Sequence, residues 1–144
     1  MTGGREDVTL VLGRHRRGLT YIHARIASPA TPGRTARVKF LVDSGAFYSV
    51  VPTRVLRRIG IKPTKTKSFI LADGSTIKRQ IGYALFRLNG EEGPSPVIFG
   101  EKNDSTLLGS LSLEALGLFL DPLGRELRPL PLLLVSQRRD SGQL

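Results

Sequence analysis

Hydrophobic and polar residues alternate along several short stretches of the chain, as they do in β-strands that have one buried face. Such alternation covers residues 19–28 and residues 36–42, and the second stretch becomes continuously apolar at its end. Asp73-Gly74 lies between two apolar stretches and is the strongest hairpin signal in the chain. The pattern also predicts strands at 50–51, 69–72, 75–81, 83–88, 97–99, 118–120 and 126–130, and loops at 29–33 and 90–93.

Two short helices interrupt these strands. The first begins after Pro52, which suits a first helical turn, and ends at Gly60, which suits a left-handed cap. Ser110 is a good N-cap for the second helix, and Gly117 ends it. Because long crossover helices are missing, a parallel α/β architecture is disfavoured. The chain is therefore predicted to be mainly β, with a closed or sandwich-like sheet.

The composition is that of a folded protein. The 144 residues suffice for one domain, and 40% of them are hydrophobic, which supplies a packed core. No apolar stretch approaches the roughly 20 residues that cross a bilayer, and no signal-peptide pattern follows Met1. Without cysteine there are neither disulfides nor thiolate metal sites, and His15 and His23 lack spaced carboxylate partners. We therefore expect a cytoplasmic protein with no cofactor, no bound metal and no membrane partner.

Positive charge is spread along the chain. The formal net charge is +10, and arginine supplies 16 of the 22 cations. These cations form no single block, and no RNA-binding aromatic motif accompanies them. Nucleic acid is therefore not the favoured partner, although a basic nucleic-acid-binding accessory domain remains a third hypothesis for the chain. The polar ends of the chain predict three parts, which are a basic arm over residues 1–18, a domain over residues 19–135 and a polar tail over residues 136–144.

One short motif carries the candidate chemistry, because Asp43-Ser44-Gly45 follows the apolar end of a predicted strand. A carboxylate brought into the interior has to be stabilised or has to hold its proton. The Ser44 hydroxyl can bond to backbone, and Gly45 lets the turn pass close behind the carboxylate. If two such turns met across a two-fold axis, their carboxylates would share a proton, and one could act as a base on water. Taken alone, the three residues are also compatible with an ordinary turn or a helix cap.

Three ordered features resemble the retropepsin-like aspartic proteases. The sequence from Val42 to Ala46 looks like the active-site signature of that family, which usually reads Asp-Thr-Gly or Asp-Ser-Gly followed by Ala. Leu107-Leu108-Gly109, which precedes a short predicted helix, is similar to the second hallmark of the family. Between them, residues 71–76 occupy the place of the flap, a hairpin that covers the substrate. The resemblance extends over residues 20–130 and implies an acid-protease fold, a closed β-barrel-like domain with a flap hairpin.

The resemblance implies a role for each matching residue. Asp43 would be the catalytic residue, Ser44 would brace two active-site turns against each other, and Gly45 would shape the turn. Leu108 and Gly109 would support the site, with Gly109 passing close behind the catalytic turn. The residues implied to bind substrate are Ala46, which would line the cleft, and Ala72, Asp73, Gly74 and Ser75, which would close over it.

The implied function is that of an aspartic endopeptidase acting on a polypeptide substrate. One chain holds one such aspartate, so a homodimer would supply Asp43 from each copy to activate the attacking water. An alternative is a catalytically inactive dimeric module that holds peptides in the same cleft. Asp73 departs from the glycine-rich flap tips that are common in the family. The apolar residues 130–135 are predicted either to form an interface strand or to pack on the chain's own core.

Overall fold

A computed structural model describes residues 19–131 of the chain. The predicted arm 1–18, the end of the predicted domain at 132–135 and the predicted tail 136–144 lie outside the described residues. Strands dominate the described part, which confirms the prediction of a mainly-β fold. In chain order the elements are β1 (Tyr21–Ser28), β2 (Thr31–Val42), β3 (Ser49–Pro52), α1 (Thr53–Arg58), β4 (Lys65–Ile70), β5 (Thr76–Leu88), β6 (Glu91–Gly100), β7 (Leu107–Leu108), α2 (Ser110–Ala115), β8 (Leu118–Asp121) and β9 (Glu126–Pro129).

Six of the strands close into a ring. Neighbouring strands follow the order β1-β2-β7-β3-β6-β5, and β5 also pairs with β1, so the sheet closes on itself. β4 pairs with the first half of β5 and forms a hairpin with it. Most pairs are antiparallel, but β2 pairs with β7 and β3 pairs with β6 in parallel. β8 and β9 form a separate two-stranded hairpin. The closed ring agrees with the predicted barrel-like domain.

The sheet buries two groups of apolar side chains. The larger group is built around Phe40 and Phe86, whose ring centroids are 5.9 Å apart, and it receives Leu56 from α1 and Leu113 from α2. Burying each of these large side chains contributes about 1.5–3 kcal/mol to folding. The smaller group lies beside the predicted active-site turn, because it contains a residue of that turn. Its members are Ala46, Val50, Phe69, Ile81, Ile98 and Leu107.

Two predicted loops are wrong in extent. The loop at 29–33 is shorter than predicted, because β2 begins at Thr31 after a tight turn. The loop at 90–93 is wrong as well, because Asn89 and Gly90 form the whole turn and β6 follows at once. Both turn residues have positive φ, 50° and 84° respectively. This is the backbone twist that suits a two-residue connection between antiparallel strands.

The second helix begins differently from the prediction. Gly109 occupies the N-cap position, and Ser110 is the first helical residue and not the cap. The backbone N–H of Ser110 donates to the carbonyl of Ala46 (2.8 Å), so the helix start is held by the predicted active-site turn. Gly60 and Gly117 have φ of 86° and 71° and end the two helices as predicted.

Candidate active site

Asp43 lies in the turn that follows β2. Its backbone N–H donates to the carbonyl of Leu108 (3.0 Å), where β2 and β7 run side by side in parallel. Its carbonyl accepts from the N–H of Ala46 (3.1 Å), and its Oδ1 accepts from the N–H of Gly45 (3.0 Å). Asp43 is partly buried, whereas Ser44 and Gly45 are exposed. The turn therefore presents an oriented carboxylate beside backbone that a second molecule can reach.

Gly109 passes directly behind this turn. A Cβ at Gly109 would lie 2.6 Å from the carbonyl oxygen of Tyr48 and 2.8 Å from that of Phe47, closer than side chains approach backbone. The N–H of Leu111 donates to the Phe47 carbonyl (3.2 Å). We call this contact between residues 43–49 and residues 108–112 the Gly109 crossing. Only glycine fits at its centre, because the two backbones touch there.

A chain of buried serine hydroxyls supports the Gly109 crossing. The N–H of Gly109 donates to Ser49 Oγ (2.9 Å), which is 2.5 Å from Ser112 Oγ. Ser112 Oγ is in turn 2.7 Å from Ser95 Oγ, and all three serines are buried. Contact between these serines was not predicted from the sequence. Ser49 and Ser112 each stand between two hydrophobic residues, which is a signal for burial, whereas Ser95 stands between two prolines and has no such signal.

The predicted flap is a hairpin between β4 and β5. At its tip the N–H of Gly74 donates to the Leu71 carbonyl (2.9 Å), and the N–H of Leu71 donates to the Ser75 carbonyl (2.8 Å). Asp73 Oδ1 accepts from both the hydroxyl (2.6 Å) and the N–H (2.8 Å) of Ser75. These two bonds lower the pKa of the Asp73 carboxyl below its ordinary value. Gly74 has φ of 88°, the left-handed conformation that this turn requires.

The β4 strand of the hairpin packs against the active-site turn close to the hairpin tip. Phe69 of β4 is buried, and its ring meets that of Tyr48 edge-on, with centroids 5.9 Å apart. Lys67, also on β4, donates from Nζ to the Tyr48 hydroxyl (3.3 Å). The Tyr48 ring in turn meets that of Phe47 at 6.3 Å. An aromatic and cationic contact therefore connects the predicted flap to the residues that follow Asp43.

Asp104 is a turn residue. Its N–H donates to the Glu101 carbonyl (2.9 Å), and its Oδ2 accepts from the N–H of Glu101 (2.8 Å). Arg79 of β5 donates to both oxygens of the carboxylate, at 2.7 and 2.9 Å. Burial raises the pKa of Asp104, but the hydrogen bonds from Arg79 and from the Glu101 N–H outweigh it and lower the pKa below its ordinary value. The carboxylate is engaged by these partners, so it is a poor candidate for a second catalytic acid.

The structure brings some of the predicted site residues together and leaves others apart. Asp43, Ser44, Gly45, Leu108 and Gly109 meet in the Gly109 crossing. The residues predicted to bind substrate differ in their surroundings, because one is buried and the others are exposed at the hairpin tip. Ala46 is 1% exposed and packs in the smaller core group, whereas Ala72, Asp73, Gly74 and Ser75 are exposed.

Residues 19–131 present no metal cluster and no membrane-spanning helix, and two surface depressions lie away from the Asp43 turn. These depressions, of about 450 and 480 Å³, have no residue of the Asp43 turn in their walls. No three histidine, aspartate or glutamate side chains of the described part gather as metal ligands. None of its helices has the length and apolar character needed to cross a membrane.

Comparison with known proteins places these features in one family. A family model described as aspartyl protease matches residues 28–111, which is 84 of the 144 residues. The matched region contains Asp43, the hairpin tip and Gly109. No curated protein matches the sequence.

Two solved structures are similar to the chain. The solution structure of simian foamy virus (mac) protease is 21% identical with a TM-score of 0.46, covering 66% of this chain and 92% of that one. The crystal structure of prototype foamy virus protease-reverse transcriptase is 19% identical with a TM-score of 0.45, covering 81% of this chain and 13% of that one. The family match extends over more than half of the sequence. The chain therefore belongs to the aspartyl protease family, which confirms the predicted retropepsin-like resemblance.

Proposed function

We propose that the protein is an aspartic endopeptidase in which Asp43 from each of two copies forms one active site. The observation that carries this proposal is the Gly109 crossing. It holds the Asp43 backbone through Leu108 and orients the carboxylate through the N–H of Gly45, while the side chain stays partly accessible. A structural aspartate in an ordinary turn does not require a second chain segment to be held at its back.

The proposed chemistry needs two carboxylates that share one proton. The ionised Asp43 takes a proton from a water, whose oxygen attacks the carbonyl carbon of the peptide bond. The protonated Asp43 of the other copy donates to the carbonyl oxygen, which gives a tetrahedral diol. Collapse of the diol breaks the C–N bond: the Asp43 that took the proton from water passes it to the departing nitrogen, and the other Asp43 takes a proton from a diol hydroxyl, which leaves one proton shared by the pair. The bond from Gly45 N–H to Oδ1 holds the carboxylate in one orientation throughout.

Exposed residues beside Asp43 support association of two copies. Phe47 is 49% exposed although it is a large aromatic side chain next to the active-site turn. Ser44 and Gly45 are exposed at the same turn. In a two-fold interface the same surface of each copy meets itself, which would cover Phe47 and bring the two Asp43 turns together.

The hairpin tip supports an extended peptide as the substrate. Residues 72–75 project from the end of the β4–β5 hairpin and are exposed. An extended peptide recognised through main-chain hydrogen bonds leaves the side chains of the substrate variable. The tip would therefore cover a peptide bond held over the paired Asp43 turns. The cytoplasmic location stays a prediction of the sequence.

The proposal is tested with Asp43→Asn and a peptide library assayed from about pH 3 to pH 7. Loss of one carboxylate that acts as general acid or base lowers the rate by about 10²–10⁴-fold, and we expect cleavage to fall by at least that much. Asp121→Asn is the matched control, because it removes the same charge at the end of β8 in the separate β8–β9 hairpin. Cleavage by Asp43→Asn at the wild-type rate would exclude the proposal.

A mixing experiment tests whether the site is shared. Wild-type protein is allowed to exchange with a tenfold excess of Asp43→Asn, which places most wild-type copies in mixed dimers with one carboxylate. We expect activity per wild-type copy to fall about tenfold by mass action. Unchanged activity would show that one chain is sufficient. Wild-type protein that binds extended peptides and cuts none of them would instead support the inactive peptide-binding module.

A further inference from the structure

The outward face of three neighbouring strands gathers arginines that are far apart in the sequence. β1 lies between β2 and β5, and Arg25 of β1 stands directly opposite both Arg37 of β2 and Arg87 of β5. Side chains in register on neighbouring strands have Cβ atoms about 5 Å apart. The three guanidinium groups therefore form one row across the sheet, which we call the arginine row.

The arginine row is only partly neutralised. Arg87 Nε donates to Oε1 of Glu92 on β6 (2.7 Å), and Arg25 Nη1 lies 3.4 Å from the Thr35 hydroxyl. Among the ion pairs of residues 19–131, none joins Arg25 or Arg37 to a carboxylate. Like charges placed directly opposite each other destabilise a sheet. The row therefore lowers stability unless an anion binds to it.

Two exposed tyrosines lie on either side of the arginine row. Tyr21 precedes Arg25 by four residues on β1, and Tyr83 precedes Arg87 by four residues on β5, so each shares a face with its arginine. Because β1 and β5 are antiparallel, the two rings lie in opposite directions, each about 13 Å from the row. Tyr21 is 51% exposed and Tyr83 is 45% exposed. Lys39 Nζ lies 4.9 Å from the Tyr21 ring centroid and adds a cation beside it.

The same face contains a depression of about 450 Å³, and its walls include the arginine row, His23 and Glu92. β1 has hydrogen-bonded neighbours on both sides here, so an extended peptide cannot pair with its backbone. A partner has to be recognised by side chains alone. Guanidinium groups suit phosphate oxygens because they donate two parallel hydrogen bonds, and exposed aromatic rings suit the faces of bases.

We propose that this face binds single-stranded nucleic acid. The nucleic-acid strand crosses the arginine row at the middle of a track about 26 Å long, where the guanidinium groups contact its phosphates, and Tyr21 and Tyr83 stack on bases at the two ends of that track. This binding does not depend on the proposed peptide hydrolysis. The sequence did not favour nucleic acid as a partner, because its cations are dispersed along the chain. They come together only through strand pairing.

The test is fluorescence anisotropy of a labelled oligothymidine strand with the full chain, between about 50 and 200 mM salt. Arg25→Gln/Arg37→Gln is compared with Arg54→Gln/Arg57→Gln, which removes the same charge from exposed positions on α1. Each phosphate contact on a single strand contributes about 0.7 to the slope of log affinity against log salt. We expect the first variant to lose about 1.4 from that slope and at least tenfold in affinity, and the control to lose less than about twofold.

A loss of binding in these variants cannot be explained by unfolding, because removing opposed like charges leaves the melting temperature unchanged or higher. Equal losses in both double variants would overturn the proposal, since diffuse positive charge would then explain the binding. An oligoglutamate peptide that binds as tightly as the oligonucleotide would also overturn it. Tyr21→Leu should weaken binding, and full affinity would contradict the stacking. Asp43→Asn should bind like the wild type, which separates this proposal from that of peptide hydrolysis.

Discussion

The Gly109 crossing and the hairpin tip at residues 71–75 are both short turns that contain a glycine, yet they are held in different ways. In the crossing, the bond from Gly109 N–H to Ser49 Oγ joins residues 60 positions apart, and further bonds join the two segments around Asp43. At the tip, the hydrogen bonds made by Asp73 and Gly74 reach only residues of the same turn.

This difference fits the two proposed roles. A carboxylate that has to meet a second carboxylate needs a position fixed to within about 0.5 Å, which the long-range bonds of the Gly109 crossing support. A cover over a substrate has to change position, and a turn with only local bonds can do so without disturbing the core. Substitutions in the crossing should therefore affect the whole domain, whereas substitutions at the tip should have small effects.

The sharpest test replaces a glycine by alanine in each region. At Gly109 the new Cβ would lie 2.6 Å from the Tyr48 carbonyl oxygen, so we expect a loss of at least about 3 kcal/mol in the free energy of unfolding. At Gly74 a Cβ meets nothing within 4 Å, and the cost comes from φ of 88° alone. That cost is about 1–2 kcal/mol. Urea unfolding of both variants at equal protein concentration measures the difference.

The two glycines are informative as a pair because different constraints require them: close approach of two backbone segments at Gly109 and a positive φ at Gly74. Gly109 has φ of −94° and ψ of 179°, an extended conformation that alanine adopts freely. Its sensitivity can therefore come only from the close approach of the two chain segments. If Gly109→Ala and Gly74→Ala cost the same, the distinction between the crossing and the tip is wrong.

A smaller effect is expected from the hydroxyl chain beneath the crossing. Ser112→Ala leaves the buried hydroxyls of Ser49 and Ser95 without one of their partners, which costs about 1–3 kcal/mol. Ser75→Ala, at the exposed tip, should cost less than about 0.5 kcal/mol. The same urea measurement compares them.

A double-mutant cycle separates the hydroxyl chain from simple packing. If Ser49 and Ser112 act as one bonded unit, the double alanine variant costs less than the sum of the two single variants. Strict additivity would mean that the 2.5 Å contact between their oxygens contributes nothing of its own.

Much of the fold could be predicted from local signals. Alternation placed the strands, Asp73-Gly74 placed the hairpin, and Gly60 and Gly117 ended the helices as expected. The two wrong loops were local errors in the extent of tight turns, but the error at the second helix came where a distant segment decides the outcome. Ser110 has the chemistry of a helix cap, but its N–H bonds to Ala46, which lies across the crossing.

In the candidate site, too, short local motifs were predictable from the sequence and contacts between distant segments were not. The resemblance singled out Asp43 and Gly109 because each belongs to a short sequence motif. The contact between Ser112 and Ser95 was not predictable, because it forms only when the helix that holds Ser112 packs against β6. The arginine row was missed for the same reason, since the opposition of Arg25 and Arg37 depends on the register of two strands.

The smallest expected effect is a pH dependence at the tip. Hydrogen bonds from the Ser75 hydroxyl and N–H lower the pKa of Asp73 in the folded chain below 3.8, its ordinary value. The ionised carboxylate therefore favours folding above about pH 4, and that contribution is lost as pH falls through the lowered pKa. Asp73→Asn removes the charge, so the stability difference between wild type and variant should shrink between about pH 5 and pH 2.

Unfolding should be measured in an Asp43→Asn background, which prevents self-cleavage. Taking the difference cancels Asp104 and Asp121, whose lowered pKa values make them titrate in the same range. A difference that stays constant over this range would show that Asp73 has no such bonds in solution, and the tip would then be held even more loosely than the Gly109 crossing.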